Sequence, residues 1–272
     1  MVAQTPQVIA ILGALVEERV GLHYGEADHA IFGERVAIRA LEAGYPSLLD
    51  YYYFLRYDDP GGREFAALVD ALVVGETYFF RELEPMEVLV TDFLGPAVKA
   101  GHRPRVWSAA SATGEEPLSL AMLLARQGVL DRVELVASDV SARALARAAR
   151  GEFGLRAVRG PLPPGCEQWL TVVDGRPRVA PALSDTIRWR RVNITAKEEV
   201  AALGTFDAIV CRNVLIYFRD EKVLQVVESL SDALEPGGVL LVGVSESLLR
   251  YGTALRCEEH RGVFWYRKAA TQ

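Results

Sequence analysis

The sequence predicts an α/β fold with an all-helical stretch ahead of it, and three segments carry that expectation. Val106-Trp-Ser-Ala-Ala-Ser-Ala-Thr-Gly-Glu-Glu-Pro117, Val133-Glu-Leu-Val-Ala-Ser-Asp139 and Phe206-Asp-Ala-Ile-Val-Cys-Arg-Asn-Val-Leu-Ile-Tyr-Phe218 each read as an apolar strand running into a polar or glycine-bearing turn. In open α/β sheets ligands bind outside the carboxyl ends of the strands, so polar side chains there are placed for chemistry rather than packing.

Taken in order, Val8 to Val16 is an apolar run that enters Glu17-Glu-Arg19 with no basic residue before it, which predicts an amphipathic helix rather than a signal peptide. Ile31 to Ala43, Leu48 to Leu55 and Glu64 to Val73 space their apolar residues three and four apart, as helices do. Gly44-Tyr-Pro46 and Asp59-Pro-Gly-Gly62 break the pattern. Pro85 to Ala100 reads as a further helix, and Gly101-His-Arg-Pro104 as a hinge. These signals divide the chain into a helical domain over 1–75, a connecting segment and helix over 76–103, and a second domain over 104–272.

From Arg105 the rhythm alternates strand and helix, the α/β signature. Strands are expected over Arg105 to Ala109 and Val133 to Ser138, with helices from Glu115 to Gln127 and from an N-cap at Ser141 to about Arg150. Gly-Pro, Pro-Pro-Gly and Asp-Gly pairs between 151 and 185 frame short β-type runs such as Trp169 to Val173, which predicts a small β-hairpin insert. The sheet resumes with Thr186 to Val192, Phe206 to Cys211 and Gly238 to Val244. It closes with an antiparallel pair, Ala254 to Glu258 and Gly262 to Arg267.

Composition narrows the function. At 272 residues with 50% hydrophobic content the chain can bury a substantial core, and a net charge of -6 argues against nucleic acid as the main partner. Cys166, Cys211 and Cys257 lie far apart with no C-x-x-C pair, and the four histidines lack ligand spacing, so neither a disulfide framework nor a metal site is expected. Scattered cysteines fit a reducing cytoplasm, and no apolar run is long enough to span a bilayer.

Asp139 ends a strand where nucleotide-binding sheets place an acid on ribose hydroxyls, but it could equally cap the next helix. The first turn carries Gly114 alone, so the G-x-G-x-x-G cradle for a pyrophosphate is missing, which counts against NAD. S-adenosylmethionine has no phosphate, and Glu116 could pair with its ammonium group. Glu115 and Glu116 also suit the helix dipole.

Six segments then become recognisable together: Glu76-Thr-Tyr-Phe-Phe-Arg-Glu82, Trp107 to Pro117, Ala137-Ser-Asp139, Cys211-Arg-Asn-Val-Leu-Ile-Tyr-Phe218, Pro236-Gly-Gly238 and Gly243-Val-Ser-Glu-Ser247. In that order they resemble the CheR-type chemotaxis receptor methyltransferases over nearly the whole chain. The resemblance implies a Rossmann-like class I methyltransferase domain that moves a methyl group from S-adenosylmethionine to glutamate side chains on a chemoreceptor's cytoplasmic domain. It further implies that Thr77 and Arg81 contact the cofactor, Glu116 and Asp139 serve its methionine and ribose ends, Asn193 and Ile194 its adenine side, and Arg212 and Asn213 the pocket floor. Tyr217 matches a tyrosine near the transferring methyl, and Arg81 could also grip a carboxylate through its guanidinium fork. Tyr217 as an amphipathic plug at the sheet edge is the plainer alternative.

Two departures from the family pattern stand out. Gly75 replaces a frequent asparagine two residues before the threonine, removing one hydrogen bond to the cofactor, and Ser-Ala-Thr at 111 to 113 replaces the usual Ser-Thr order. Phe79, Phe80, Phe218 and Trp107 are expected in the core. A glutamate carboxylate is already anionic and a sulfonium already activated, so no catalytic dyad is expected.

Receptor docking is harder to place. Over 1–75 there are five arginines (Arg19, Arg35, Arg39, Arg56, Arg63) against eleven acids, so only Arg35 and Arg39, one turn apart, could offer the basic face to an acidic receptor bundle that the resemblance implies, and they suit a solvated face equally well. Residues 150–192 carry eight arginines against four acids, in the region where relatives dock a receptor's C-terminal pentapeptide; here it is short and proline-rich. The chain is expected to act as a monomer. A catalytically silent S-adenosylmethionine-binding signalling module and a small-molecule methyltransferase are the rival readings.

Overall fold

The computed structural model describes residues 5–270. Helix α1 (Pro6–Val20) begins with proline in its first turn, where a missing N–H costs nothing, and stops at Gly21 with φ 77°. A Cβ on Gly21 would lie 2.8 Å from Thr195 Cγ2, so both the turn and a close approach demand glycine there. Helices α2 (His29–Glu42), α3 (Leu48–Tyr53) and α4 (Arg63–Leu72) follow. With α1 they bury one core around Leu12, Val16, Phe32, Val36, Tyr51 and Leu68. Asp59 starts α4 by accepting the amides of Glu64 and Phe65.

The basic face expected of Arg35 and Arg39 does not exist as a pair of free cations. Both point toward α4: Arg35 Nη1 donates to the Leu72 carbonyl at 2.9 Å, and Arg39 grips Glu64 with both arms of its fork at 2.7 and 2.6 Å. The same Glu64 accepts the Tyr51 hydroxyl at 2.7 Å, so the cluster is a strut between helices. The exposed side of α2 instead carries Ile31, Ile38 and Leu41.

Helix α5 (Leu83–Val88) runs through a π turn (Leu89–Leu94) into α6 (Gly95–Lys99). Strands then alternate with helices: β1 (Arg105–Ala109), α7 (Glu115–Arg126), β2 (Glu134–Asp139) and α8 (Ala142–Ala149). The insert is a hairpin of β3 (Leu170–Val173) and β4 (Arg176–Val179), apart from the main sheet, followed by a short α9 (Pro181–Ser184). The chain returns through β5 (Ile187–Arg191), α10 (Lys197–Ala201), β6 (Phe206–Cys211), α11 (Asp220–Asp232) and β7 (Leu234–Val242), and ends in β8 (Arg256–His260) and β9 (Val263–Arg267).

The sheet order is β5-β2-β1-β6-β7-β9-β8, parallel from β5 to β7, with β9 antiparallel to both β7 and β8. Helices cover both faces, and successive β1 side chains serve different cores: Val106 packs into one, Trp107 into the other. Trp107 is fully buried and donates its Nε1–H to Ser138 Oγ at 2.8 Å. Strand β7 begins at Leu234, four residues before Gly238, because a register shift lets Pro236-Gly-Gly238 remain in the sheet. A Cβ on Gly238 would lie 2.9 Å from the Glu235 carbonyl oxygen.

From β1 the chain goes to β2 on one side, while β6 lies on the other. The order therefore reverses at β1, and a crevice opens at the carboxyl ends of β1 and β6. Among the described residues no helix is long and apolar enough to cross a membrane.

Candidate active site

A cleft with about 1050 Å³ of space, part of it open to solvent, occupies that crevice. Thr77 and Arg81 reach it from the segment between α4 and α5, Glu116 from the first turn of α7, and Asp139 from the end of β2. Asn193 and Ile194 follow β5, and Arg212, Asn213 and Tyr217 follow β6. All nine positions singled out in the sequence thus line one cavity. Val20 and Leu22, from the end of α1, complete its wall and carried no sequence signal beyond the glycine between them.

The turn after β1 is strained. Ala110 and Ala112 hold φ of 56° and 47°, a region disfavoured for any residue with a Cβ and worth about 1–3 kcal/mol each. Two bonds hold it: Ser111 N–H to the Ser138 carbonyl and Ala112 N–H to Asp139 Oδ2, both at 2.8 Å. Gly114, at φ 91°, starts α7 where a Cβ would lie 2.6 Å from Ala148 Cβ, so this glycine serves helix packing.

The two readings of Asp139 now separate. Ser141 Oγ caps α8 by accepting the Ala144 amide at 3.0 Å, whereas Asp139 accepts Ser141 N–H on Oδ1 and Ala112 N–H on Oδ2. Each carboxylate oxygen keeps a lone pair for a ligand hydroxyl. Burial pushes the Asp139 carboxyl up from its ordinary value, against the pull of those two amides.

At the other end, Arg212 is buried, its side chain 1% exposed. Nη2 donates to Glu82 Oε2 and to the Arg81 carbonyl, each at 2.8 Å, and Nη1 to Glu116 Oε2 at 3.2 Å. Glu116 also accepts the Ser108 hydroxyl at 2.8 Å. Burial raises its carboxyl while Arg212 opposes; for Glu82 burial also raises, but the bonds from Arg212 and Asn213 outweigh it and the carboxyl sits below its usual range. Glu115 turns away to Thr113 Oγ1 at 2.6 Å. One guanidinium against two carboxylates leaves this end anionic, which suits a cation. Glu82 was missed in the sequence because only its left-handed backbone, φ 49°, brings the carboxylate back to Arg212.

Asn193 differs from its expected role. Its Nδ2 donates to the Arg19 carbonyl at 2.7 Å and its Oδ1 accepts the Thr195 amide and hydroxyl, so the side chain ties α1 to the end of β5 rather than facing the cavity with free groups. Tyr217 is half-buried; burial raises its hydroxyl pKa and Arg81 lowers it. Arg81 donates to the Glu76 carbonyl at 3.4 Å, leaving most of its fork free for a ligand. Phe79 lies in the core, while Phe218 packs against the core and also lines the cleft.

Among the described residues, two buried groups lining this cavity, Ser111 Oγ and Arg212 Nε, have no hydrogen-bond partner. Buried polar atoms are almost always satisfied, so their state fits a ligand that supplies hydrogen-bonding groups. An anionic end, a paired strand-end acid and apolar walls from Val20, Leu22, Val140 and Ile194 fit a sulfonium, a ribose and a flat base.

Comparison with known proteins agrees. The family described as CheR methyltransferase, SAM binding domain matches residues 75–263. Chemotaxis protein methyltransferase 2 of Vibrio cholerae is 33% identical over 259 residues, covering 92% of this chain and 89% of that protein. Chemotaxis protein methyltransferase 1 of Pseudomonas aeruginosa is 34% identical over 243 residues, covering 86% and 87%. The probable biofilm formation methyltransferase WspC of Pseudomonas aeruginosa is 32% identical over 238 residues, covering 86% of this chain and 56% of that protein.

Proposed function

We infer the substrate from one premise: the chain belongs to the CheR methyltransferase family and is an S-adenosylmethionine-dependent methyltransferase. The acceptor in this reading is a glutamate side chain on a chemoreceptor's cytoplasmic domain, converted to its γ-methyl ester by a monomeric enzyme in the cytoplasm. Residues 104–272 serve as the methyltransferase domain and 1–75 as the helical domain beside it.

The observation that carries the choice of acceptor is chemical. Among the described residues no histidine, lysine or cysteine lines the cleft, and its carboxylates Glu76, Glu116 and Asp139 are engaged by hydrogen-bond donors, Glu76 by Arg159. Cys211 stands behind it with its thiol pushed well up by burial, so it remains protonated. A site without a free base suits a nucleophile that brings no proton, and a carboxylate is one. Bound S-adenosylmethionine supplies an electrophilic methyl on a cationic sulfur.

The chain's own groups then bind and align. Glu116, held by Ser108 and Arg212, receives the ammonium group, and Asp139 accepts the ribose hydroxyls on lone pairs its two amides leave free. Thr77 and Ile194 border the cofactor, and Asn193 holds the α1 wall in place. Arg81 receives the acceptor carboxylate at the mouth, Tyr217 orients the attacking oxygen, and Arg212 with Asn213 fixes the floor. Alignment and exclusion of water account for the acceleration. With Arg35 and Arg39 tied to Leu72 and Glu64, the basic contact for an acidic receptor falls to the arginine-rich stretch 150–192.

Transfer of radiolabelled methyl from S-adenosylmethionine onto purified receptor cytoplasmic fragments tests the proposal. Base-labile label on glutamates is expected. Cofactor binding with no labelling of any receptor fragment would reject the acceptor.

A further inference from the structure

One motif from the sequence, Gly243-Val-Ser-Glu246, has no part in the cofactor contacts, yet its glutamate is the most heavily engaged carboxylate at the site. Glu246 is 6% exposed. Its Oε2 accepts the amides of Asn213 at 2.6 Å and Gly243 at 2.9 Å, and its Oε1 those of Leu215 at 2.8 Å and Ile216 at 3.3 Å. Three of those donors belong to the segment that follows β6. Asn213 is left-handed there, φ 58°, and Leu215–Tyr217 forms a 3-10 turn whose first amides have no partner within the turn.

We propose that Glu246 is the positioning residue of this site: its carboxylate holds left-handed Asn213 and the 3-10 turn together, and so sets where the Tyr217 hydroxyl stands during methyl transfer. An ionised carboxylate is the one side chain that can accept four amides on two oxygens. Gly243 makes the arrangement possible. A Cβ there would lie 2.7 Å from Glu246 Oε2 and 2.8 Å from Asn213 Nδ2, so any larger residue would push the carboxylate off the turn. Glu246 touches no ligand in this account and acts only through residues 213–217. The inference rests on the proposed role of Tyr217.

The test compares the full-length wild type with Glu246→Gln, Glu246→Asp, Tyr217→Phe and the Glu246→Gln/Tyr217→Phe double variant. Amide hydrogen exchange over 213–216 is read directly, together with S-adenosylhomocysteine affinity by calorimetry and kcat on a receptor fragment. In Glu246→Gln, whose amide turns an N–H toward amide donors, those amides should exchange at least tenfold faster and kcat should fall at least tenfold. Affinity should stay within threefold, and Glu246→Asp should recover part of kcat. Because both changes act through one hydroxyl, adding Tyr217→Phe to Glu246→Gln should lower kcat by less than a further twofold. Unchanged exchange, unchanged kcat, additive losses, or affinity lost in step with kcat would each overturn the proposal. If Glu246→Gln does not fold, Glu246→Asp carries the same comparison. A wild type that methylates nothing while the exchange difference persists rejects the receptor reading and leaves Glu246 as the holder of the turn, so the two ideas fail separately.

Discussion

Arg212 and Arg39 are both clamped by carboxylates, yet they sit in opposite surroundings. Arg39, 24% exposed in its side chain, joins two regular helices through Glu64. Arg212 holds Glu82 and Glu116 where the backbone is forced: Phe80, Glu82, Ala110, Ala112 and Asn213 all have positive φ around it. The other described non-glycine residues with positive φ, Asp174 and Arg261, lie in the hairpin turns β3–β4 and β8–β9. An ion pair on relaxed backbone holds a fold together. One surrounded by strain is held in place by the fold, and that direction of support marks the site.

The comparison breaks most sharply at Arg212. Arg212→Ala leaves two carboxylates, 19% and 16% exposed in their side chains, without their fully buried cation, which should cost about 3–5 kcal/mol in urea denaturation and abolish cofactor binding. A cost no greater than that of Arg39→Ala would erase the distinction. Next in size, Asp139→Ala should weaken S-adenosylhomocysteine at least tenfold by calorimetry, since bonds to a charged acceptor are worth about 1.5–3 kcal/mol. Asp139 also predicts a pH effect. Its carboxyl is raised by burial, so as pH falls it takes up a proton earlier than an ordinary aspartate, and wild-type affinity should fall off at a higher pH than an ordinary aspartate would dictate, where Asp139→Ala shows no such component. A pH-independent wild type would remove the ribose assignment.

Smaller effects sharpen the other side. Arg39→Gln should lower stability by about 1–2 kcal/mol, because one charge of a half-buried pair is lost, while cofactor affinity stays level. An affinity change would mean that the helical strut reaches the cleft. Smallest of all, Gly75 lines the cavity with nothing within 4 Å of where its Cβ would stand. Gly75→Asn should therefore fit, and tighten cofactor binding by about three- to tenfold if one neutral hydrogen bond forms.

Much of this was legible in the residues. The limits of β1 and β6 follow from apolar runs ending in polar groups, and Ser141 caps its helix as an N-cap serine should. The start of β7 was hidden because Pro236-Gly-Gly238 reads as a turn, and only pairing with β6 shows it to be a bulge. The π turn at Leu89–Leu94 leaves no compositional trace. The site positions came from motif resemblance rather than periodicity, and the resemblance said nothing of side-chain direction. That Asn193 faces Arg19, or that Arg39 faces Glu64 twenty-five residues on, depends on packing between elements. Sequence spacing carries no information of that kind.

The wall that α1 lends to the cleft has a consequence for how the protein ages and survives. Asn193 grips the Arg19 carbonyl, His23 N–H meets the Tyr217 carbonyl at 2.9 Å, and Val20 and Leu22 face the cavity. A ligand lodged there bridges helix and sheet, so mass action ties the endurance of the amino-terminal helices to metabolite supply. At a hundred times its Kd, a ligand adds about 2.7 kcal/mol to the folded state. Where the ligand is scarce that contribution lapses, and the contacts between α1 and the sheet must hold on their own.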